Sequence, residues 1–250
     1  MQLVQPYTLL DGGPADWIAG LALLILVIAG IAYLAQRGRE PGVYVPSLAW
    51  LRALLYFSAA LLLSWSLGVL QSLLTQPLLT AEQLNDRWWQ AVTLLYLVVL
   101  WVGYAILWPR GTFTDGRSAH PLVTTLYGLL WGLCHGQLFL GIWAIAELTG
   151  LASYWVAGIT YVVLSGYNFA YHQFFWDIYV SPPHNIESWN LKKVQYCHAP
   201  NLLIGLAWLA TWGNFGLWLL LQTAVLTICV HAMRFPAWYD DYRGQPGETR

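Results

Sequence analysis

The chain has 250 residues, of which 58% are hydrophobic and only 9% are charged, and its formal net charge is -1. Soluble domains carry about 25% charged residues, so this chain has too few charges to cover a water-facing surface. The near-neutral charge also argues against nucleic acid as a partner. The composition therefore predicts that lipid is the solvent of this chain.

The first apolar run covers residues 17–35 and follows a segment without Lys or Arg. A secretory signal peptide begins with a basic region, so we expect this run to stay in the membrane as a helix. A helix needs about 20 apolar residues to cross the hydrocarbon core. Four further runs meet this length, at residues 47–74, 88–108, 121–148 and 152–180.

The last apolar stretch, residues 200–235, is too long for one span, because a helix of that length would measure about 50 Å. The sequence Gly-Asn-Phe-Gly at residues 213–216 interrupts it with residues that favour turns. We divide the stretch into helices over residues 201–212 and 217–234. The sequence thus predicts one all-α transmembrane domain over the whole chain, with seven spans.

The distribution of Lys and Arg predicts the orientation of the bundle. With the N-terminus outside, nine of the eleven basic residues fall in inner segments, as the positive-inside rule requires. Arg87 falls in an outer loop, and Arg52 lies in the second helix near its inner end. Seven spans then place the C-terminus in the cytoplasm. We expect a multi-pass protein of a bacterial-type inner (plasma) membrane, with membrane lipid around it.

Histidines concentrate at the cytoplasmic side of this topology, and only His135 falls near the middle of the bilayer. The other five are His120, His172, His184, His198 and His231. Polar residues at helical spacing on the fifth span, Ser165, Asn168 and His172, continue towards the same side. Polar groups in lipid are costly and normally face a bundle interior or a cavity, so this seam indicates a functional site.

The sharpest hypothesis is a metal centre at that side, holding iron, copper or zinc. Its predicted ligands are His172, His184, His198, Glu187 and His231. Histidines with a carboxylate and an open position are the general pattern of oxygen-activating iron. We expect the loop over residues 181–199 to bring His184 and His198 near His172. The spacing matches neither HxxxH, HxxHH nor HExxH.

A protein with such a centre would be a membrane oxidoreductase. It would oxidise or hydroxylate a hydrophobic small molecule, such as a lipid, an isoprenoid or a quinone-like compound, that enters from the bilayer. We predict that Asp177 and His172 are its catalytic residues.

A second hypothesis is an isoprenoid cyclase that needs no metal. Burial raises the pKa of a carboxyl group, so Asp177 could donate a proton, while aromatic rings would stabilise a cation. The plain structural alternative is that Asp177 pairs with Lys192 or Arg234.

A third hypothesis is a non-enzymatic subunit or assembly factor with a membrane-protein partner. In that case His→Ala changes would leave function intact. Retinal binding is excluded, since the two lysines, Lys192 and Lys193, lie in a predicted loop.

Overall fold

The computed structural model describes residues 46–110, 120–174 and 194–233, together with eight positions between residues 14 and 25. Every regular element in these ranges is helical, so the predicted all-α fold is confirmed for the described part of the chain. Of the predicted span over residues 17–35, positions 17–21, 24 and 25 are described and are helical, and the rest lies outside the described residues.

Within the described residues, eight α-helices of five or more residues and two π-helical segments form the bundle. The α-helices are α1 (Pro46–Ser66), α2 (Val69–Thr75), α3 (Ala81–Asn85), α4 (Arg87–Trp101), α5 (Pro121–Glu147), α6 (Ser153–Phe174), α7 (Ala199–Trp212) and α8 (Phe215–Ala232). The first π segment, Val102–Leu107, continues α4 and leads into the helical turn Trp108–Arg110. The second, Val194–His198, leads directly into α7.

Three helices are long and apolar enough to cross a membrane: Arg87–Leu107, α5 and α8. The pair α1 and α2 makes a fourth if it counts as one broken span. At 14 residues, α7 is about 21 Å long, which is shorter than a hydrocarbon core of about 30 Å. The described residues therefore form an all-helical structure with three to four candidate membrane spans.

The predicted uninterrupted helix over residues 47–74 is wrong. It breaks between Ser66 and Val69, where the helix axis bends by 76°. Gly68 lies at the break with φ 74°, in the left-handed region that glycine adopts without steric cost. The second predicted span is thus a long helix followed by a short one in a different direction.

The predicted break within residues 213–216 is confirmed. Gly213 adopts φ 67°, and its N–H donates to the carbonyl of Leu209 over 2.9 Å, which ends α7 in a left-handed glycine cap. Two residues later Phe215 begins α8. The chain therefore reverses direction here, and α7 and α8 are separate helices.

Hydrogen bonds of the Asn214 side chain link this turn to α4 and to the segment before it. Its Oδ1 accepts a hydrogen bond from Nε1 of Trp89 over 3.0 Å. Its Nδ2 donates to the carbonyl of Leu78 over 3.2 Å and to Oε1 of Gln83 over 2.9 Å. The turns before α4 and before α8 thus share one end of the bundle, which we call the Asn214 end.

The opposite end, which we call the His198 end, joins the other termini of the same helices. His198 precedes α7 and contacts Tyr104 near the end of the first π segment. Nε2 of His231, near the end of α8, lies 2.8 Å from Oγ1 of Thr125 in the first turns of α5. Helices α4 and α8 therefore run from the Asn214 end to the His198 end, and α5 and α7 run the opposite way.

Helix α5 is central and packs most closely on α8. Of the residues in its most apolar stretch 67% are buried, against 28% in α4. Gly128 and Gly132 face α8, and a Cβ on them would lie 2.7 Å from Cα of Thr227 and 2.6 Å from Cα of Thr223. Small residues at four-residue spacing let two helix backbones approach in this way, and Gly136 continues the row.

The close contact between α5 and α8 predicts that replacing glycine with alanine has opposite effects on stability at Gly132 and at Gly158. Gly132→Ala should lower the free energy of unfolding by about 1–3 kcal/mol, because the methyl group has no room against Thr223. Gly158→Ala, in α6, should be neutral or stabilising by up to about 1 kcal/mol, because nothing lies within 4 Å of the added Cβ. Thermal unfolding of the two purified variants in detergent measures both, and equal melting temperatures would contradict the prediction.

Candidate functional site

Two π-helical segments meet at the His198 end of the bundle. Gly103, in the first, faces the second so closely that a Cβ would lie 2.6 Å from Nδ2 of Asn201 and 3.5 Å from Cα of Cys197. Nδ2 of Asn201 donates to the carbonyl of Cys197 over 2.7 Å, which satisfies a backbone group of the second segment. Such π segments often mark functional sites, and here they bring two distant parts of the chain together.

The meeting of these segments builds a compact cluster of Tyr104, Trp108 and His198. The hydroxyl of Tyr104 and Nδ1 of His198 form a buried hydrogen bond of 2.5 Å. The ring of His198 also lies edge-on to Trp108, with centroids 4.7 Å apart. A bond from one ring nitrogen to an oxygen fixes the tautomer and orientation of an imidazole, as proton-transfer and metal sites require.

A row of four rings runs along α5 from this cluster towards the middle of the bundle. It consists of Tyr127, Trp131, His135 and Phe139, each four residues after the last. Tyr127 and Trp131 stack at 5.6 Å, Trp131 and His135 lie 4.8 Å apart, and His135 and Phe139 lie 5.7 Å apart. At 1.5 Å rise per residue the row, which we call the α5 ring row, is about 18 Å long.

Helix α8 supplies the opposite wall at the same four-residue spacing. Trp218, Gln222, Leu226 and Val230 face the α5 ring row, and Trp218 lies 6.2 Å from Phe139. Nε2 of Gln222 donates to the hydroxyl of Tyr96 over 2.7 Å, which holds its amide in place. The two helices thus present matching rows of side chains to one space.

That space is an elongated channel within the bundle. Its full lining is Tyr104, Trp108, Tyr127, Trp131, His135, Gly136, Phe139, His198, Trp218, Gln222, Leu226, Cys229, Val230 and Met233. Its empty space, with the solvent at its open mouth included, is about 590 Å³. Among the residues that the structure describes, the lining has no Asp, Glu, Lys or Arg, so this part of the channel suits an uncharged, apolar molecule.

Behind the α5 ring row, His135 is enclosed by two further rings. Tyr56 of α1 and Tyr167 of α6 lie 6.0 Å and 6.5 Å from its ring, centroid to centroid. Their hydroxyls hydrogen-bond to each other. This bond links α1 to α6 across the back of α5, and it holds the imidazole between the channel and the rest of the core.

The predicted metal ligands are only partly within the described residues. His198 is buried in the channel wall, whereas His231 hydrogen-bonds to Thr125 and is not part of the lining. His184, Glu187 and the predicted acid Asp177 lie outside the described residues. The backbone of His172 belongs to α6, but its side chain is not described.

No group of three or more His, Cys, Asp or Glu side chains that could hold a metal ion occurs within the described ranges. The metal centre therefore stays a prediction.

The polar seam of α6 is partly inside the bundle. Asn168 is fully buried, and Ser165 and Tyr161 are half-buried. Neither amide atom of Asn168 has a hydrogen-bond partner, and the same holds for the Ser165 hydroxyl, among the residues that the structure describes. An unpaired buried amide is costly, so a group that pairs with Asn168 would stabilise α6 strongly.

Sequence reasoning missed most of the channel lining, in particular Tyr104, Trp131, Phe139 and Gln222. A signal for part of it was present, because the α5 ring row follows an i, i+4, i+8, i+12 pattern that places all four rings along one side of a helix. The contribution of Tyr104 carried no such signal, since it depends on how the two π segments meet.

Comparison of the chain with protein-family models, with curated proteins and with solved structures finds no match.

Proposed function

We propose that this chain is an integral membrane enzyme whose substrate is a long, lipid-soluble molecule held in the channel between α5 and α8. The observation that carries this proposal is the α5 ring row, which lines one wall of an uncharged channel about 18 Å long. A bundle that only had to be stable would fill such a space with side chains, since protein interiors are close-packed.

The shape of the channel selects the kind of substrate. The lining follows two facing rows of side chains, on α5 and on α8, and the row on α5 is about 18 Å long, which suits a chain-like molecule more than a wide one. The described residues of its walls offer no charge to bind a soluble metabolite. A molecule already dissolved in the bilayer would enter without losing hydration, since it is apolar.

We place the reacting end of the substrate at the His198 end of the channel. The hydrogen-bonded pair of Tyr104 and His198 lies there, and both groups can exchange a proton with a bound ligand. The deeper wall is mainly aromatic, with Gln222 already held by Tyr96. In this arrangement Tyr104 and His198 exchange protons with the reacting end of the substrate, while the α5 ring row binds its hydrocarbon part.

Filling the channel should weaken binding without unfolding the bundle. We expect Leu226→Trp to weaken the binding of the methyl ester of cis-parinaric acid, a fluorescent and uncharged long-chain probe, by about tenfold or more, because Leu226 lines the channel. Leu220→Trp is the matched control on the same helix, since Leu220 is 49% exposed on its outer surface. Titration of both purified variants in detergent, followed by the probe's own emission, measures the change. Equal affinities would refute the proposed channel.

We further propose that the reaction is a metal-dependent oxidation or hydroxylation at the His198 end. Supporting observations are the buried His198, oriented by Tyr104, and its place just after the segment that carries His184 and Glu187. In a hydroxylation, dioxygen would be the oxidant. One oxygen atom would enter a C–H bond and the other would leave as water, while an external donor would supply two electrons and the solvent two protons.

Metal analysis tests this part separately. We expect the purified protein to hold iron or copper near one equivalent, and His198→Ala to lose it, whereas zinc in that place would contradict the oxidation because zinc has no redox chemistry. His135→Ala is the control, because His135 also lines the channel but lies outside the predicted ligand set. Elemental analysis by mass spectrometry gives the stoichiometry. If the wild-type protein contains no metal but still binds long-chain molecules, the proposed oxidation is wrong and the proposed channel is unaffected.

We propose seven spans, with the N-terminus outside and the C-terminus in the cytoplasm. The hydrogen bonds of Asn214 support an even number of crossings between the turns before α4 and α8, as this topology requires. The distribution of Lys and Arg then selects the side on which each end lies.

Cysteine labelling in intact cells tests this topology. The three native cysteines are buried, so new cysteines should give the signal. Ala81→Cys and Thr149→Cys, both exposed at the Asn214 end, should react with a membrane-impermeant maleimide. Gly244→Cys should react only after the cells are permeabilised. Labelling of Gly244→Cys in intact cells would contradict the proposed orientation.

A further inference from the structure

The channel is lined mainly by rings and far less by aliphatic side chains. Phe, Trp and Tyr make up 16% of the whole chain, but they supply six of the fourteen lining residues, and two histidines add further rings. Leu226, Val230 and Met233 are the large aliphatic residues of the lining. This excess of aromatic rings indicates that the channel walls make specific contacts with a ligand and do not only exclude water.

The rings of the α5 ring row present both faces and edges along one continuous surface. Tyr127 and Trp131 are nearly parallel, with an interplanar angle of 28°, and Trp131 and His135 differ by 36°. His135 and Phe139 meet edge to face at 78°. Each ring therefore has neighbours that hold its plane, and the surface is organised before any ligand arrives.

We infer that the channel is built for an unsaturated, conjugated chain, such as a polyene, in preference to a saturated chain of equal length. Aromatic rings attract other π systems beyond the gain from buried area alone, through stacked and edge-to-face contacts. A conjugated chain can make such contacts with every member of the α5 ring row, whereas a saturated chain offers only C–H bonds. The inference names the substrate class of the proposed channel and therefore depends on it.

Rigidity adds to the same preference. A conjugated chain has few rotatable bonds, so it loses less conformational freedom in a narrow channel than a saturated chain does. The ordered rings at one wall and Gln222, held by Tyr96, at the other leave little need for the protein to rearrange. Preorganised protein and preorganised ligand both favour tight binding.

Competition among long-chain acids of one length isolates the effect of conjugation. Wild-type protein in detergent is loaded with the methyl ester of cis-parinaric acid, and the probe is displaced by the methyl esters of stearic, α-linolenic or α-eleostearic acid, which carry no charge and are named below by their acids. The last two have the same number of double bonds, which are isolated in α-linolenic acid and conjugated in α-eleostearic acid. We expect α-eleostearic acid to compete about tenfold better than stearic acid, with α-linolenic acid in between.

Two sets of variants assign this preference to the α5 ring row. The first is the double variant Trp131→Leu with Phe139→Leu. In it, α-eleostearic acid should compete better than stearic acid by only about threefold or less, while stearic acid still binds. Trp155→Leu is the control, because Trp155 is 69% exposed on the outside of α6 and should keep the full preference.

The outcomes separate the two proposals. Equal competition by stearic and α-eleostearic acids in the wild type would overturn the inference and leave the channel intact. Probe binding that Leu226→Trp does not weaken would overturn the channel itself. A preference that survives loss of Trp131 and Phe139 would show that the α5 ring row is not its source.

Discussion

The close contact between α5 and α8 is the constraint on which the rest of the bundle depends. Gly128 and Gly132 bring the backbones together, and the opposing threonines remain compatible with an apolar interface because their hydroxyls bond within α8. Thr227 donates to the carbonyl of Thr223, and Thr223 donates to that of Leu219, each over 2.8 Å. The contact also sets the register. With Gly132 opposite Thr223, His135 and Gln222 lie within about 3 Å in depth at 1.5 Å per residue, so their rows face one common channel.

Much of the fold was predictable because hydropathy and turn chemistry are local. Apolar runs located α5 and α8 to within about two residues, the usual uncertainty of helix ends, and the residues at 213–216 marked the α7–α8 turn. The bend at Gly68 was not predictable in the same way. A glycine in an apolar run can break a helix, as Gly68 does, or pack against a neighbour, as Gly132 does. Only the partner helix distinguishes the two roles, and the sequence alone does not identify the partner.

The candidate site was predictable only in its location. Charge distribution and helical spacing placed His198 at one end of the bundle, and the structure puts it in the channel wall there. The chemistry of that wall depends on pairs of residues far apart in sequence, such as Tyr104 with His198 and Phe139 with Trp218. Histidines stood out in the sequence because they are few. The six Phe, Trp and Tyr residues of the channel did not stand out, since the chain has sixteen tryptophans and the described ones also occupy the core and the outer surface.

The π-helical segment Val102–Leu107, which follows α4, sets the direction of the side chains within it. A π-helix accommodates more residues in a turn than an α-helix, so it acts as a small insertion. Each residue of an α-helix turns the chain by about 100°. Deleting one residue from this segment would therefore restore an ordinary α-helix and turn Tyr104 away from His198. The loss or gain of a single codon would remove or create the contact between Tyr104 and His198. Evolution therefore has a short route between a bundle that carries this site and one that does not.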